Sequence, residues 1–368
     1  MARSLVIFDW RRVDWLLLGF VLALAAMALP TVYSAGLVGD NTAAALALVK
    51  RQGMWLLVGC VALVASNALD YHHLTHLARW LLGIALLLLV AVLIFGSEIN
   101  GAKAWFRFGP VALQPSELAK IATLLTLADF LADHGPGPLS GTDILRSGAI
   151  LALPIALIML QPDLGTSLTF IAMWLAMLAW AGARKRHLAA IVLSGLLLFA
   201  LMWHFDVLAD YQKNRVTVLF NPGVDPRGVG YNMAQSLIAV GSGGLTGQGW
   251  LQGTQTHLKF LPEGQTDFIF AVICEEWGLA GGLALLGCYL GLFWRLWGTL
   301  ATADSEFGRL LVTGCGAVLL FHVLLNVGMV VGLVPITGLP LPFVSYGGSN
   351  LLTSMVLVGL VLNVGLHR

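Results

Sequence analysis

Eight stretches of this chain are too long and too apolar to be loops or the strands of a water-soluble fold: residues 15–36, 53–69, 80–96, 164–182, 188–205, 268–294, 310–332 and 349–366. A helix crossing a bilayer needs roughly 20 mostly apolar residues, because each residue advances only about 1.5 Å. Two further stretches are less pure. Residues 117–133 carry Glu117, Lys120 and Asp129, and 147–160 is short but almost wholly apolar. Counting both predicts ten spans in an all-α integral membrane protein, a polytopic bundle forming a single domain over 1–368. Composition agrees: 58% of residues are hydrophobic and only 11% charged, against about 25% charged in soluble domains. Twenty basic and 19 acidic side chains cannot coat a soluble fold of 368 residues. A net charge of +1 gives no basic face for nucleic acid. Cys60, Cys274, Cys288 and Cys315 each sit in apolar runs without CxxC spacing, as small hydrophobes rather than a disulfide or zinc set. The polar stretch from Met1 to Asp14, followed by an overlong apolar run, does not read as a signal peptide.

Basic residues near span ends orient such a bundle. Placing the N-terminus inside puts eleven of the 20 Lys and Arg inside, including Arg3, Arg11, Arg79, Arg146, Arg295, Arg309, Arg368 and the decisive Arg184-Lys185-Arg186. Both termini are then cytoplasmic. Three outer segments are more than connectors: 97–116, the large extracytoplasmic loop 206–266, and 333–348. Inner loops such as 135–141 are short and bland. Since chemistry concentrates in long irregular segments held by rigid elements, the working face is expected outside. No internal repeat supports an inverted-repeat transporter.

Ionisable groups at membrane depth are costly, so each needs a partner or a purpose. In Gln114-Pro-Ser-Glu-Leu-Ala-Lys120, Pro115 and Ser116 suit a helix start, and Glu117 and Lys120 then share a face at i, i+3. They can be an intrahelical ion pair, or a cation with its orienting acid for an anionic headgroup. Asp163, in Gln161-Pro-Asp-Leu-Gly165, can cap the following helix or join a polar cluster with Lys120. Asp267 is the last polar residue before a long apolar span. It reads equally as a helix N-cap and as a general base whose pKa partial desolvation would raise. Glu275 and Glu276 lie about 12 Å deeper on the same helix and favour a structural or gating role. His322 and Asn326, at i, i+4, suit a buried interhelical hydrogen bond rather than a metal site. The glycine-rich run 241–249 can make turns, or a nest of N–H groups for an anion. Arg215 and Lys259 can serve an anion or simply keep their loop soluble. Residues 335–349 form a Pro/Gly-rich re-entrant segment, a backbone tolerated at depth only inside protein or beside a cavity. Walker A, GxGxxG, HExxH and DxD sequences are absent, which disfavours a soluble nucleotide substrate. An extracytoplasmic reaction would then need a substrate already activated, such as a lipid-pyrophosphate-linked sugar.

Taken together, Asn100-Gly-Ala, Trp105, Gly109-Pro110, Gln114 to Lys120, Gln161 to Gly165, Gly230-Tyr231, Leu261-Pro-Glu, Thr266-Asp-Phe-Ile-Phe270, Glu275-Glu276 and Pro335 through Ser345-Tyr-Gly-Gly-Ser349 resemble the SEDS family (shape, elongation, division and sporulation). The blocks cover nearly the whole chain in family order. Short tails and Asn326-Val-Gly-Met-Val-Val-Gly332 resemble the RodA, or elongation, branch more than the FtsW branch. The resemblance implies a ten-span peptidoglycan glycosyltransferase in the bacterial cytoplasmic (inner) membrane that polymerises lipid II during elongation. It also implies a class B penicillin-binding protein (a transpeptidase) as partner, within an elongation complex. Carried over by position, Asp267 becomes the catalytic residue, and Glu117, Lys120, Asp163 and Arg215 the polar groups that bind substrate. It leaves room for a divalent cation, Mg or Mn, on the pyrophosphate. Gln265 stands where the family commonly has His and cannot titrate, and Asn350 stands where it commonly has a small residue. The competing expectations are a lipid II flippase, and a non-enzymatic scaffold for a transpeptidase.

Overall fold

The computed structural model describes residues 12–37, 41–68, 70–99, 102–109, 111–134 and 138–367. Asn100, Gly101 and Pro110 of the family motif, Arg3, Arg11 and Arg368, and loop residues 135–137 lie outside the described residues. Ten helices correspond to the ten expected spans: α1 (Trp15–Gly36), α2 (Thr42–Ala65), α3 (Leu74–Phe95), α4 (Pro115–Ala132), α5 (Gly141–Met159), α6 (Leu164–Trp180) and α7 (Lys185–His204), then, after three short helices, α11 (Ile269–Thr302), α12 (Glu306–Val330) and α13 (Gly348–Leu366). The short helices lie in the long loop: α8 (Asp210–Phe220), α9 (Val229–Ser242) and α10 (Thr254–His257). Helices α2, α3 and α5 begin 6 to 11 residues before the apolar runs that signalled them, because a helix continues past its lipid-facing stretch into polar residues such as Lys50 and Arg51.

Local chemistry sets many of the ends. Asp14 accepts the Leu17 N–H at 3.0 Å to start α1. Ser140 and Asp143 cap each other's backbone at the start of α5. Ser305 starts α12 by accepting the Gly308 N–H at 3.0 Å. Pro115 occupies the first turn of α4, where its missing N–H costs nothing. Ser116 does not cap that helix; Gln114 takes the N-cap position without a side-chain bond.

Eight of the ten helices are long and apolar enough to cross a bilayer by length and composition; α6 is shorter, at 17 residues. The exception in composition is α4, and packing explains it. It sits inside the bundle against α3, α5, α6, α12 and α13, with both Glu117 and Lys120 buried. A helix walled in by protein can carry charges that lipid would reject. At the other extreme, α7 has no buried residue at all, and its Leu193, Leu196, Leu197 and Leu198 are exposed.

The segment 97–116 is more than a connector: β1 (Ser97–Ile99), β2 (Ala102–Phe108) and β3 (Val111–Leu113) form an antiparallel meander leading into α4. With ten alternating spans, this meander falls at the same end of the bundle as the α5–α6 turn, the long α7–α11 connection and the 331–347 segment.

Candidate active site

At that end, three distant segments are bonded to one another. The Tyr346 N–H donates to the Gln265 carbonyl at 2.8 Å, and the Ser345 hydroxyl donates to the Thr266 carbonyl at 2.5 Å. Gln52 of α2 donates to the Ser345 carbonyl at 3.2 Å. Ser349 accepts the Gln114 N–H at 3.2 Å and donates to the Ala112 carbonyl at 3.1 Å, joining α13 to the meander. The Gln114 side chain donates to Asp163 at 3.1 Å. Close approach completes the junction: a Cβ on Gly165 would lie 2.9 Å from the Thr337 carbonyl oxygen, so only glycine lets α6 start against the re-entrant segment.

Asp267 lies at the centre. It is half-buried and does not cap α11, whose N-cap is Phe268 without a side-chain bond, so the capping alternative is corrected. The turn before it is closed by Thr266 and Phe268 N–H groups donating to the Glu263 carbonyl at 3.1 and 3.3 Å. The Asp267 carbonyl is held by Asn326 at 2.8 Å, while no protein group among the described residues donates a hydrogen bond to its carboxylate. Burial, the first cause, pushes that carboxyl up to about 7. The negative field of Glu263 adds to the rise, Arg215 pulls it back down, and Asp163 raises it again. The structure therefore brings Asp267, Asp163 and Arg215 into one electrostatic neighbourhood. It adds Glu263, which the sequence contained in the same motif but which carried no signal distinguishing it from an exposed loop acid.

The remaining candidates are distributed unevenly around this point. Asp163 caps α6, accepting the Thr166 N–H at 3.0 Å and its hydroxyl at 2.8 Å, besides Gln114. It is thus both a cap and a member of the cluster. Arg215 projects from α8, half-buried, with its guanidinium 5.9 Å from the Tyr211 ring centroid. Glu117 and Lys120 form the i, i+3 pair, 2.8 Å apart, and are 6% and 1% exposed. Lys120 also donates to His322 at 3.4 Å. In this arrangement the ammonium is paired with Glu117 and buried within the bundle. It is a fixed positive charge, partly neutralised, beneath the site.

Glu275 and Glu276 are tethers. Glu275 accepts the Gln255 N–H at 2.6 Å, the Thr256 N–H at 3.2 Å and the Thr256 hydroxyl at 2.6 Å. Glu276 accepts from the Ser34 hydroxyl of α1 and from the Leu251 N–H at 3.3 Å. Helix α11 breaks just beyond them at Gly278, whose φ of 67° and ψ of −164° no other residue type adopts comfortably. The glycine run 241–249 fills the break: Gln248 and Gly249 donate to the Glu275 and Glu276 carbonyls at 2.9 and 3.0 Å, and Leu279 and Ala280 donate back to Gly244 and Leu245. Those N–H groups are committed to the helix, so the anion-nest reading of this run is corrected. Among the described residues, no group of three or more His, Cys, Asp or Glu converges to hold a metal ion.

The model of a family of cell cycle proteins, FtsW/RodA/SpoVE, matches residues 14–368. The chain is 41% identical over 339 residues to the peptidoglycan glycosyltransferase MrdB of Escherichia coli K12, covering 92% of this chain and 90% of that one. It is 33% identical to the peptidoglycan glycosyltransferase RodA of Treponema pallidum, covering 96% and 98%. Among solved structures, a chain from a peptidoglycan synthase complex that coordinates polymerization and crosslinking superposes with a TM-score of 0.82 at 33% identity, covering 97% and 98%. The rod shape determining protein RodA of Thermus thermophilus superposes with a TM-score of 0.72 at 32% identity, also covering 97% and 98%.

Proposed function

This chain belongs to the FtsW/RodA/SpoVE family, and from that premise we infer that it is a peptidoglycan glycosyltransferase that polymerises lipid II for cell elongation. The observation that carries the site assignment is the Asp267 carboxylate: half-buried, without a protein hydrogen-bond donor among the described residues, and pushed up to about 7. A carboxylate satisfied by donors would be a structural acceptor. One left open, with a proton affinity near working pH, is suited to general-base chemistry.

The reaction transfers the growing glycan from undecaprenyl pyrophosphate to the acceptor sugar. The 4-hydroxyl oxygen of lipid II forms a bond to the anomeric carbon of the strand as the bond from that carbon to the pyrophosphate oxygen breaks, inverting the centre. Asp267 takes the hydroxyl proton, and the bonding electron pair leaves with the pyrophosphate. Arg215 supplies positive charge at the mouth of the site, and the buried Lys120 adds its field from below through a medium of low dielectric. Asp163 orients Gln114 and fixes the start of α6 beside it. The chain's own carboxylates do not form a metal cage among the described residues; a divalent cation would arrive on the pyrophosphate, and no proton step above depends on it.

The working end faces the extracytoplasmic side of the bacterial inner membrane. In support, the three consecutive basic residues Arg184-Lys185-Arg186 lie at the opposite end, at the start of α7. A class B penicillin-binding protein is the partner that would crosslink the product strand, a reading supported by the similarity to a chain of a peptidoglycan synthase complex.

The test is polymerisation of lipid II by purified protein with its partner, comparing wild type with Asp267→Asn. Loss of a positioned general base costs about 10²–10⁴-fold in rate. The expected result is such a loss with partner binding intact. Undiminished polymer from the Asn variant would remove Asp267 as the base and favour a scaffold. Lipid II crossing a bilayer without polymer formation by the wild type would favour a flippase.

A further inference from the structure

Two side chains that the reaction above does not use stand one turn apart on α12, His322 and Asn326, and both are buried (2% and 0% exposed). Their bonding partners lie on three other elements. The Asn326 amide has two hydrogens, and both are committed: one to the Asp267 carbonyl at 2.8 Å, the other to the Leu339 carbonyl at 2.8 Å. His322 bridges in the same manner one turn earlier. Lys120 lies 3.4 Å from its Nε2, and the Pro340 carbonyl lies 3.3 Å from its Nδ1. An ammonium can only donate and a carbonyl can only accept. A neutral imidazole protonated on Nδ1 satisfies both neighbours at once, and the opposite tautomer satisfies neither.

The backbone being held is the part of the re-entrant segment nearest the reacting group. Gly338 precedes the two anchored carbonyls, takes a φ of 74°, and comes so close that a Cβ there would lie 3.4 Å from Asp267 Oδ2. Displacement of Leu339 or Pro340 therefore displaces the wall against which the carboxylate rests. Asn326 fixes the other side of the same gap by gripping Asp267's own carbonyl. Through Lys120, the His322 rung reaches the Glu117 pair on α4.

We propose that His322 and Asn326 are positioning residues: consecutive rungs on α12 that set the Asp267 carboxylate against the Gly338–Pro340 wall and lock both to the buried Lys120. The Asn326 bonds, at 2.8 Å, are the firm part of the device. The two His322 bonds are longer, and they orient rather than clamp. Their bonds run to Lys120 and to backbone carbonyls, so both act on the rate through the geometry of Asp267.

The inference rests on Asp267 being the reacting base, and the experiment separates the two. With the full-length protein and its transpeptidase partner, kcat and KM for lipid II are measured for wild type, His322→Leu, His322→Gln and Asn326→Leu, together with thermal unfolding of each. An active-site displacement approaching 1 Å can cost on the order of 10²-fold. Asn326→Leu is expected to lower kcat by up to that factor and His322→Leu by about 10-fold, each with KM nearly unchanged. His322→Gln is expected to recover most of the rate, since its amide oxygen can accept from Lys120 while its amide nitrogen donates to Pro340. A folded His322→Gln as slow as His322→Leu overturns the proposal, as do leucine variants at wild-type kcat or changes confined to KM. If both leucine variants fail to fold, His322→Gln alone decides: near-wild-type kcat supports the bridging role and loss of kcat refutes it. A wild type that makes no polymer refutes the functional reading instead.

Discussion

Asp267 and Glu275 belong to one short stretch, eight residues apart, and their environments are opposite. Glu275 is fully buried and receives three hydrogen bonds, from Gln255 and Thr256. Asp267 is only half-buried, yet its carboxylate receives none among the described residues, and its neighbours include Glu263 and Asp163. Burial depth is therefore a poor guide to function here. Three donors hold the deeper acid in place as an anchor for the loop around α10. The shallower one has no donor to offset its burial, and that desolvation, with the like charge of Glu263 and Asp163 added against Arg215, keeps its proton affinity near neutral pH. The tether and the proposed base are separated by the supply of donors and not by the chemistry of the carboxylate.

That contrast can be broken by experiment, beginning with the largest effect. Asp267→Asn should all but abolish polymerisation, whereas Glu275→Gln should leave the rate per folded molecule within a few-fold. An inactive but normally stable Glu275→Gln would erase the distinction. Stability should move the other way. Asp267 has a folded pKa of about 7 against an ordinary 3.8, so its ionisation opposes folding by on the order of 4 kcal/mol once the pH exceeds 7. The cost fades as the pH falls from 7 to 3.8, where the folded form keeps a proton that the unfolded form has lost. Asp267→Asn is thus expected to raise the unfolding temperature above pH 7 and to lose that advantage in acid, as thermal scans across pH would record. Glu275→Gln places an amide N–H₂ against the donors of Gln255 and Thr256 and should cost about 2 kcal/mol, read from the same scans. An unchanged unfolding temperature would show that the tether is dispensable.

The smallest effects concern the pH profile. Activity should rise through about pH 7 as Asp267 ionises and becomes able to accept a proton. Glu263 raises its pKa and Arg215 lowers it. Glu263→Gln should consequently shift the acidic limb to lower pH, and Arg215→Ala should shift it higher. Parallel shifts, or none, would mean that another group governs the limb.

Much of this is legible in local sequence patterns, for identifiable reasons. The Glu117–Lys120 pair followed from i, i+3 spacing on a helix that Pro115 starts, and the Asp163 cap from its place before an apolar run. Both are local patterns. The Asp267 cap was an equally good local pattern and did not form. Phe268 takes the N-cap position because the turn closed on Glu263 sets where α11 begins, and Asn326 and Ser345 pin that turn from elsewhere in the chain. Of the two readings of the glycine run, turns prevail over a nest for the same reason: the Gln248 and Gly249 N–H groups go to α11 just before its Gly278 break, a partner about 30 residues away with no trace in the run itself.

Composition is enough to make this chain a bundle of membrane helices and to place each span approximately, since transfer of a segment into hydrocarbon depends on that segment's own composition. The chain's motifs also identified the residues that would meet. Folding settled their environments: which carboxylate is supplied with donors and which is left without, and which charge is sealed inside the bundle. Hydrogen bonding and desolvation are set by partners that folding delivers from distant positions, so no local reading could assign them.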